Sequence, residues 1–369
     1  MSWRGSLEIV TITLLALAGS LVLFCLFIMA YTAVAADKVV LPGELCDALF
    51  KGGFGTRRAW LNALKLAAPL ILTALCTALP ARLGLIIIGG EGALIGGGLA
   101  AAVVGLALQA LPAPLPVAGM MVVGMVGGAA LIGLAGLMSQ WRGVNATISS
   151  LLITYIVLGV FNYLVEGPLR DPASTNKPST VKIAEEPALG SMFGLDIHWG
   201  LGFGVIACVA AYVLMDRTTF GFAVRMTGGN VRAARAAGLP VGQLVVITCL
   251  LGGAAAGLAG AVEIAASPMQ ANSGLYAARY GYTGILVAFL ARHQPLAIPP
   301  VALLLGGLKA ASQRLQYLHL PDASVDVLSG IVFVLILLSE TLYGRFRVFQ
   351  PREKPAPVGT PARVAVPAA

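Results

Sequence analysis

Glu91 is the only charged residue in Gly84-Leu-Ile-Ile-Ile-Gly-Gly-Glu-Gly-Ala-Leu-Ile-Gly-Gly-Gly98. A carboxylate in so apolar a run is costly to place in lipid and marks a functional position. The surrounding glycines permit a break in a helix or close contact with a neighbouring one. Two compatible roles are open: Glu91 lies on a solute path, or it caps backbone amides that a break leaves free. Chemistry of another kind is carried by Gly221-Phe-Ala-Val-Arg-Met-Thr-Gly-Gly-Asn-Val-Arg-Ala-Ala-Arg-Ala-Ala-Gly-Leu-Pro240. Asn230 is a good N-cap, because its side-chain oxygen accepts from a free backbone amide. The spacing predicts a short helix over 231–237, with Gly238 suited to a left-handed stop and Pro240 preventing continuation. The small side chains of Ala233, Ala234, Ala236 and Ala237 let such a helix approach a partner's cleft. Arg225, Arg232 and Arg235 can pair with acidic groups or carbonyls around it. The alternative is an ordinary loop whose arginines only set topology. A third segment, Gly281-Tyr-Thr-Gly-Ile-Leu-Val-Ala-Phe-Leu-Ala-Arg-His-Gln-Pro295, follows Tyr276, Arg279 and Tyr280 and contains Tyr282. Aromatic faces beside a cation suit a flat polar ligand; the alternative is an interfacial tyrosine belt.

Catalytic and metal chemistry find no such support. The five cysteines form no CxxC pair, and four of them lie inside apolar runs, where they read as small core residues. The three histidines, His198, His293 and His319, are far apart in sequence, so no zinc-ligand pair is present. There is no GxxxxGK[ST] phosphate loop, so ATP hydrolysis is not expected of this chain, and no GxSxG or HExxH motif.

The elements that position these residues must live in lipid. Of 369 residues, 58% are hydrophobic and only 11% charged, against roughly 25% charged in soluble domains. The net charge of +8 reads as topology rather than nucleic-acid binding, since many arginines flank apolar runs. Ten candidate spans are predicted, over 8–34, 60–79, 84–108, 114–138, 145–165, 198–215, 241–266, 278–291, 296–314 and 324–342. The first, Ile9–Ala30 at its core, is longer than a signal peptide's h-region and is expected to be retained despite the cleavage-like Ala33-Val34-Ala35. Ten spans put both termini on one side, and Arg345, Arg347, Arg352 and Lys354 predict that this side is the cytoplasm. Residues 1–344 then form a transmembrane domain with an external loop at 166–197 and an internal one at 216–240. Residues 345–369 form a tail expected to be disordered. Residues 37–59 should be external yet carry Lys38, Lys51, Arg57 and Arg58, which a short interfacial helix would accommodate. Spans 2–5 and 7–10 suggest an inverted repeat.

Five segments together resemble one family: Gly89-Gly-Glu-Gly92, Asn145-Ala-Thr-Ile-Ser-Ser-Leu-Leu-Ile-Thr-Tyr-Ile156, Gly167-Pro-Leu-Arg-Asp-Pro172, Gly229-Asn-Val-Arg-Ala-Ala-Arg-Ala-Ala-Gly238 and Gly281-Tyr-Thr-Gly-Ile-Leu-Val-Ala288. In this order, over about residues 60–340, they look like the permeases of bacterial ABC importers for branched-chain amino acids, ribose and nucleosides, the nucleoside (simple-sugar) type above all. The chain departs at Ala146, where the family usually has an acidic residue, and at Leu286-Val287, where Ile-Ala is common. The resemblance implies an all-α membrane permease that pairs with a second permease chain, two ATP-binding subunits carrying ATP and magnesium, and an extracytoplasmic solute-binding protein. It implies that 217–240 is the coupling loop, with Gly229, Asn230, Arg232, Ala233, Ala234, Arg235 and Gly238 at its centre and Arg225 beside it. Solute, most simply a nucleoside and otherwise a sugar or a branched-chain amino acid, is expected to pass near Glu91, Asn162, Tyr163, Glu166, Tyr280 and Tyr282. A rival is an ion-coupled transporter using Glu91 or Glu263; an integral membrane enzyme is a weaker one, for want of a clustered catalytic pair.

Overall fold

The computed structural model describes residues 3–35, 40–112, 114–174, 177–183, 189–190, 192–194, 196–267, 269–318, 320–321 and 323–342. The tail 345–369, Lys38 and His319 lie outside these, so the expectation of a disordered tail does too. The described residues are helical apart from turns, extended links and two isolated bridges. Helix α1 (Trp3–Ala35) precedes α2 (Pro42–Gly53), the short helix expected within 37–59. It buries Leu45, Ala48 and Leu49 and pairs Asp47 with Lys51 at 2.9 Å on its exposed side.

Next come α3 (Arg57–Ala81), α4 (Gly90–Leu108), α5 (Leu115–Arg142) and α6 (Ala146–Glu166). The central loops and α7 (Gly200–Arg217), α8 (Thr219–Gly229) and α9 (Val231–Ala236) lead to the second group. That group contains α10 (Val241–Ala266), α11 (Gly274–Ala277), α12 (Tyr280–Leu290), α13 (Ile298–Ala310), α14 (Ser312–Gln316) and α15 (Ala323–Leu342). Among the described residues, eight helical stretches are long and apolar enough to cross a bilayer. The other two expected spans are α12, with only 11 residues, and α15, whose apolar part is Ala323–Ser339.

Helix α3 is the core. From Ala67 to Pro80 every residue is buried, as expected of a helix apolar all round. It packs on α7, α10, α12 and α13. Beside it, α4, α5 and α10 pack closely through small residues, the usual device of helices in lipid. A Cβ on Gly257 would stand 2.1 Å from the Gly124 carbonyl oxygen, so no larger residue fits that crossing.

The span expected over 84–108 does not begin as helix. Gly84 takes a left-handed turn with φ 76°, Leu85–Ile88 runs without helix, and α4 starts only at Gly90. The reason is local. Three consecutive isoleucines favour an extended backbone, and neighbouring hydroxyls supply the missing hydrogen bonds. Thr147 Oγ1 donates to the Ile86 carbonyl at 2.6 Å, and Thr77 Oγ1 to that of Ile87 at 3.2 Å. Ser150 Oγ accepts from Ile88 N at 3.3 Å. Irregular backbone at membrane depth survives only with such partners.

The second group has an interruption too, between α10 and α12, where the loop between α6 and α7 supplies the partners. Thr180 N donates to the Ala271 carbonyl at 3.0 Å, and Ala271 N donates to Thr180 Oγ1 at 2.9 Å. Ile183 N reaches the Met269 carbonyl at 2.9 Å, and Leu189 N that of Ala265 at 3.0 Å. In each group of four the second helix therefore starts after a break.

Candidate functional site

The two breaks meet. Gly281, in the first turn of α12, donates its N–H to Glu91 Oε2 at 2.7 Å, and Tyr282 N donates to the same oxygen at 3.3 Å. Glu91 itself lies in the first turn of α4. A helix N-terminus carries roughly half a positive charge, so two abutting N-termini are matched by one carboxylate. The backbones touch: a Cβ on Gly281 would lie 2.3 Å from Glu91 N and 2.4 Å from its Cα. Thr73 Oγ1 on α3 donates to the Tyr280 carbonyl at 3.1 Å and pins the junction from behind. Glu91 is 3% exposed, and its Oε1 is buried with no hydrogen-bond partner among the described residues. The capping role read from the sequence is thus the one its geometry displays.

The tyrosines do not converge on a single ligand. Tyr280 and Tyr282 are two residues apart, about 200° around the helix. Tyr280 is buried, with its hydroxyl toward Glu263 Oε1 at 3.5 Å and Lys309 Nζ 5.0 Å from its ring centroid. Tyr282 is 38% exposed and lines a groove of about 590 Å³ with Ile86, Phe289 and Phe333. Tyr276 meets Phe161 edge-on at 5.9 Å, and Arg279 turns to Asp326 at 3.5 Å. The cation on an aromatic face is therefore Lys309, which also donates to the Ala278 carbonyl. Sequence reasoning passed over this residue, although a lone lysine inside the apolar run 296–314 was a readable signal.

Two crevices flank Tyr280 and share Lys65 and Leu66. One, of about 520 Å³, opens among α3, α13 and α15 with Asn62, Lys309, Gln313 and Asp326. The other, of about 300 Å³, lies between α10 and the loop between α6 and α7, with Glu263, Ser267, Asp196 and His198. Lys65 pairs with Asp196 at 2.7 Å. Burial first, and the Lys65 charge second, hold the His198 imidazole below its ordinary pKa, so it is neutral at pH 7. Asn162 is half-buried, whereas Tyr163 and Glu166 are exposed at the end of α6; none of the three lines these two crevices.

The opposite face carries the arginines. Asp216, at the end of α7, takes both Arg82 guanidinium nitrogens at 2.9 and 3.3 Å and Arg225 at 3.2 Å. Arg225 also donates to the Met215 carbonyl, so it braces α8 within the chain rather than reaching outward. Asp216→Ala takes the carboxylate from the half-buried Arg82 and leaves Arg225 only the Met215 carbonyl. A loss of about 2 kcal/mol is expected, read as a lower Tm of the detergent-solubilised protein with α8 more open to proteolysis. Beyond α8, Asn230 Oδ1 accepts from Arg232 N at 3.0 Å and Ala233 N at 3.1 Å. Helix α9 ends at Ala236, one residue short of expectation, because Ala237 is its cap. Leu239 N returns to the Ala234 carbonyl and Gly238 N to that of Arg235, both at 3.0 Å, with Gly238 at φ 78°. This is a complete Schellman stop. Ala234 is buried beneath, while Gly229, Arg232, Ala233 and Arg235 face out.

Comparison with known proteins gives this arrangement a family. The sequence profile described as "Branched-chain amino acid transport system / permease component" matches residues 59–337, from α3 into α15. The chain belongs to that permease family. The permease is 32% identical to a glucose ABC transporter permease protein of Haloferax volcanii, over 87% of this chain and 85% of that one. It is 30% identical to a guanosine ABC transporter permease protein of Bacillus subtilis, over 79% and 85%. A nucleoside ABC transporter permease protein of Lactococcus lactis subsp. cremoris is 25% identical over 78% and 81%.

Proposed function

We propose that the permease is the membrane-spanning part of an ATP-driven importer for nucleosides. The observation that carries the ATP-driven part is α9: a rigid, doubly capped helix of small residues, presented on the arginine face with Arg232 and Arg235 outward. It has the form of a docking element for a separate ATP-binding subunit, which carries the ATP and magnesium. A second permease chain and an extracytoplasmic solute-binding protein complete the assembly. The arginine face is cytoplasmic, both termini lie on that side of the inner membrane, and residues 345–369 form a tail beyond the permease domain 1–344. Two relatives named for guanosine and nucleosides support the solute class, while the one named for glucose keeps a sugar as the alternative. Solute passes beside the start of α12, near Tyr280 and Tyr282, with Asn162, Tyr163 and Glu166 nearer the outer mouth and Glu91 holding α12 in place.

The test is uptake of labelled nucleosides, ribose, glucose and leucine by a deletion strain, the complemented strain and an ATPase-partner knockout. Nucleoside uptake is expected to fall in both knockouts. The carboxylates Glu91 and Glu263 at membrane depth also fit an ion-coupled transporter. Uptake that stops on collapse of the proton and sodium gradients, with ATP intact, would favour that reading. Asn230→Ala removes the acceptor of two amides and costs α9 about 1 kcal/mol. Its membrane level is expected to stay unchanged while uptake and solute-stimulated ATP hydrolysis fall together. Wild-type uptake in that variant would argue against α9 as the coupling element.

A further inference from the structure

We propose that Cys25 and Cys46 form a disulfide on the outer side of the membrane, which staples α1 to α2 when a disulfide donor oxidises the pair. The orientation is the one proposed above, and the solute plays no part. Both cysteines precede residues 59–337, the part of the chain that matches the permease profile.

The backbone brings the two together. Cys25, Ile28 and Thr32 are buried and form one stripe of α1, at i, i+3 and i+7. At the end of that stripe Val40 N donates to Thr32 Oγ1 at 3.3 Å, so the chain has already turned back on α1 before α2 begins. From Thr32 back to Cys25 is about 10 Å of helix. Helix α2 packs on α1 and returns over that distance to Cys46. A hydrogen bond joins the two thiols, and neither is in a disulfide in this structure. Cys25 stands about 8 Å before the end of the apolar run Ile9–Ala30, toward the end of the span that meets α2. The staple would have a firm anchor. A Cβ on Gly53 would lie 2.7 Å from the Gly307 carbonyl oxygen, and one on Gly52 2.8 Å from Ala311 Cα, so α2 lies flush on α13. Helix α1 packs mainly on α15, and the bond would tie it to that firmer part of the fold.

Access sets the order of steps. Cys46 is exposed and Cys25 is buried. Cys46, as the thiolate, attacks one sulfur of the donor's disulfide, and the other donor sulfur leaves and takes up a proton. Cys25 then gives up its own proton and attacks the Cys46 sulfur of the mixed disulfide, which releases the second donor thiol. Two cysteine thiols are oxidised, and one donor disulfide is reduced to two thiols that carry both protons. Such bonds persist in oxidising compartments and are rare in the cytosol. The other three cysteines, Cys76, Cys208 and Cys249, are buried, out of reach of a donor in solution.

The test counts oxidised thiols. The full chain, solubilised with its partners, is treated with oxidised glutathione, denatured, capped with N-ethylmaleimide, reduced and labelled with a maleimide mass tag. Two tags are expected on the wild-type chain. Cys46→Ser should take none, and Cys25→Ser at most one, from glutathione left on Cys46. Cys46 is exposed, so its serine variant is expected to fold even where the buried Cys25→Ser does not. Fewer than two tags on the wild-type chain, or two on either variant, overturns the pair. Spheroplasts treated in the same way read the side of the membrane, because oxidised glutathione stays outside them. Two tags are expected there as well; two tags only after solubilisation would remove the outer placement. Neither arm measures uptake, so the importer reading is tested apart from both.

Discussion

Gly281→Val is expected to abolish uptake and to leave little permease in the membrane, and Gly281→Ala to lose most of both. A Cβ at this position meets the backbone N and Cα of Glu91 at 2.3 and 2.4 Å and its carboxylate oxygen at 2.7 Å. Two of those three atoms are main chain and cannot swing aside. Over-packing of a buried site commonly costs about 1–3 kcal/mol. Here the strain falls on the one place where the starts of α4 and α12 touch, so α12 must withdraw and break both amide bonds to Glu91. Gly159 supplies the control, because a Cβ there meets nothing within 4 Å. Gly159→Ala should retain wild-type level, Tm and uptake. Membrane level by immunoblot, Tm in detergent and nucleoside uptake give three separate readings. Normal uptake by Gly281→Ala would mean that α4 and α12 are not held in contact in the working permease.

The residues that announced the junction in the sequence did so because their types are rare in lipid. A lone glutamate among glycines is legible for its cost, and so was its capping role, since a helix break must leave amides that something accepts. What the sequence did not convey was the partner, because Gly281 lies 190 positions away and no local pattern links them. Helix α9 was legible almost to the residue, since Asn230, Gly238 and Pro240 act on their immediate neighbours. Arg225 shows the limit of the same reasoning. Its type fits an outward docking role, but Asp216 at the end of α7 captures it together with Arg82, and that triad joins three separate helices. The tyrosine cluster failed for a related reason. Proximity in sequence placed Tyr276, Tyr280 and Tyr282 near one cation, and helical geometry then sent them to different neighbours.

The breaks themselves follow a common physical rule with two solutions. Irregular backbone at membrane depth must find partners. In the first group, Thr77, Thr147 and Ser150 supply them from helices inside the span. In the second, the loop between α6 and α7 supplies them with its own backbone and Thr180. The first break is therefore held by the long helices, whereas the second is held by the loop between α6 and α7.

Glu91 can be divided into cap and charge by two substitutions. Glu91→Ala leaves the amides of Gly281 and Tyr282 without an acceptor, at about 1–3 kcal/mol for each buried group left unpaired. It is expected to lower Tm, membrane level and uptake together. Glu91→Gln keeps a carbonyl oxygen where Oε2 now accepts and places its amide nitrogen where Oε1 has no partner. It loses only the attraction of a full charge for two helix N-termini, worth up to about 2 kcal/mol in a partly buried setting. The Gln variant should therefore retain most of its membrane level and more than half of wild-type uptake, with a modest fall in Tm. That pattern makes Glu91 a positioning residue, which serves translocation by fixing where α12 begins. A Gln variant that is stable and abundant yet fails to transport would instead put the charge itself in the path of the solute, and would revive Glu91 as a coupling carboxylate. Wild-type uptake with and without an ion gradient then decides between those two roles, because only the coupling role makes that uptake depend on the gradient.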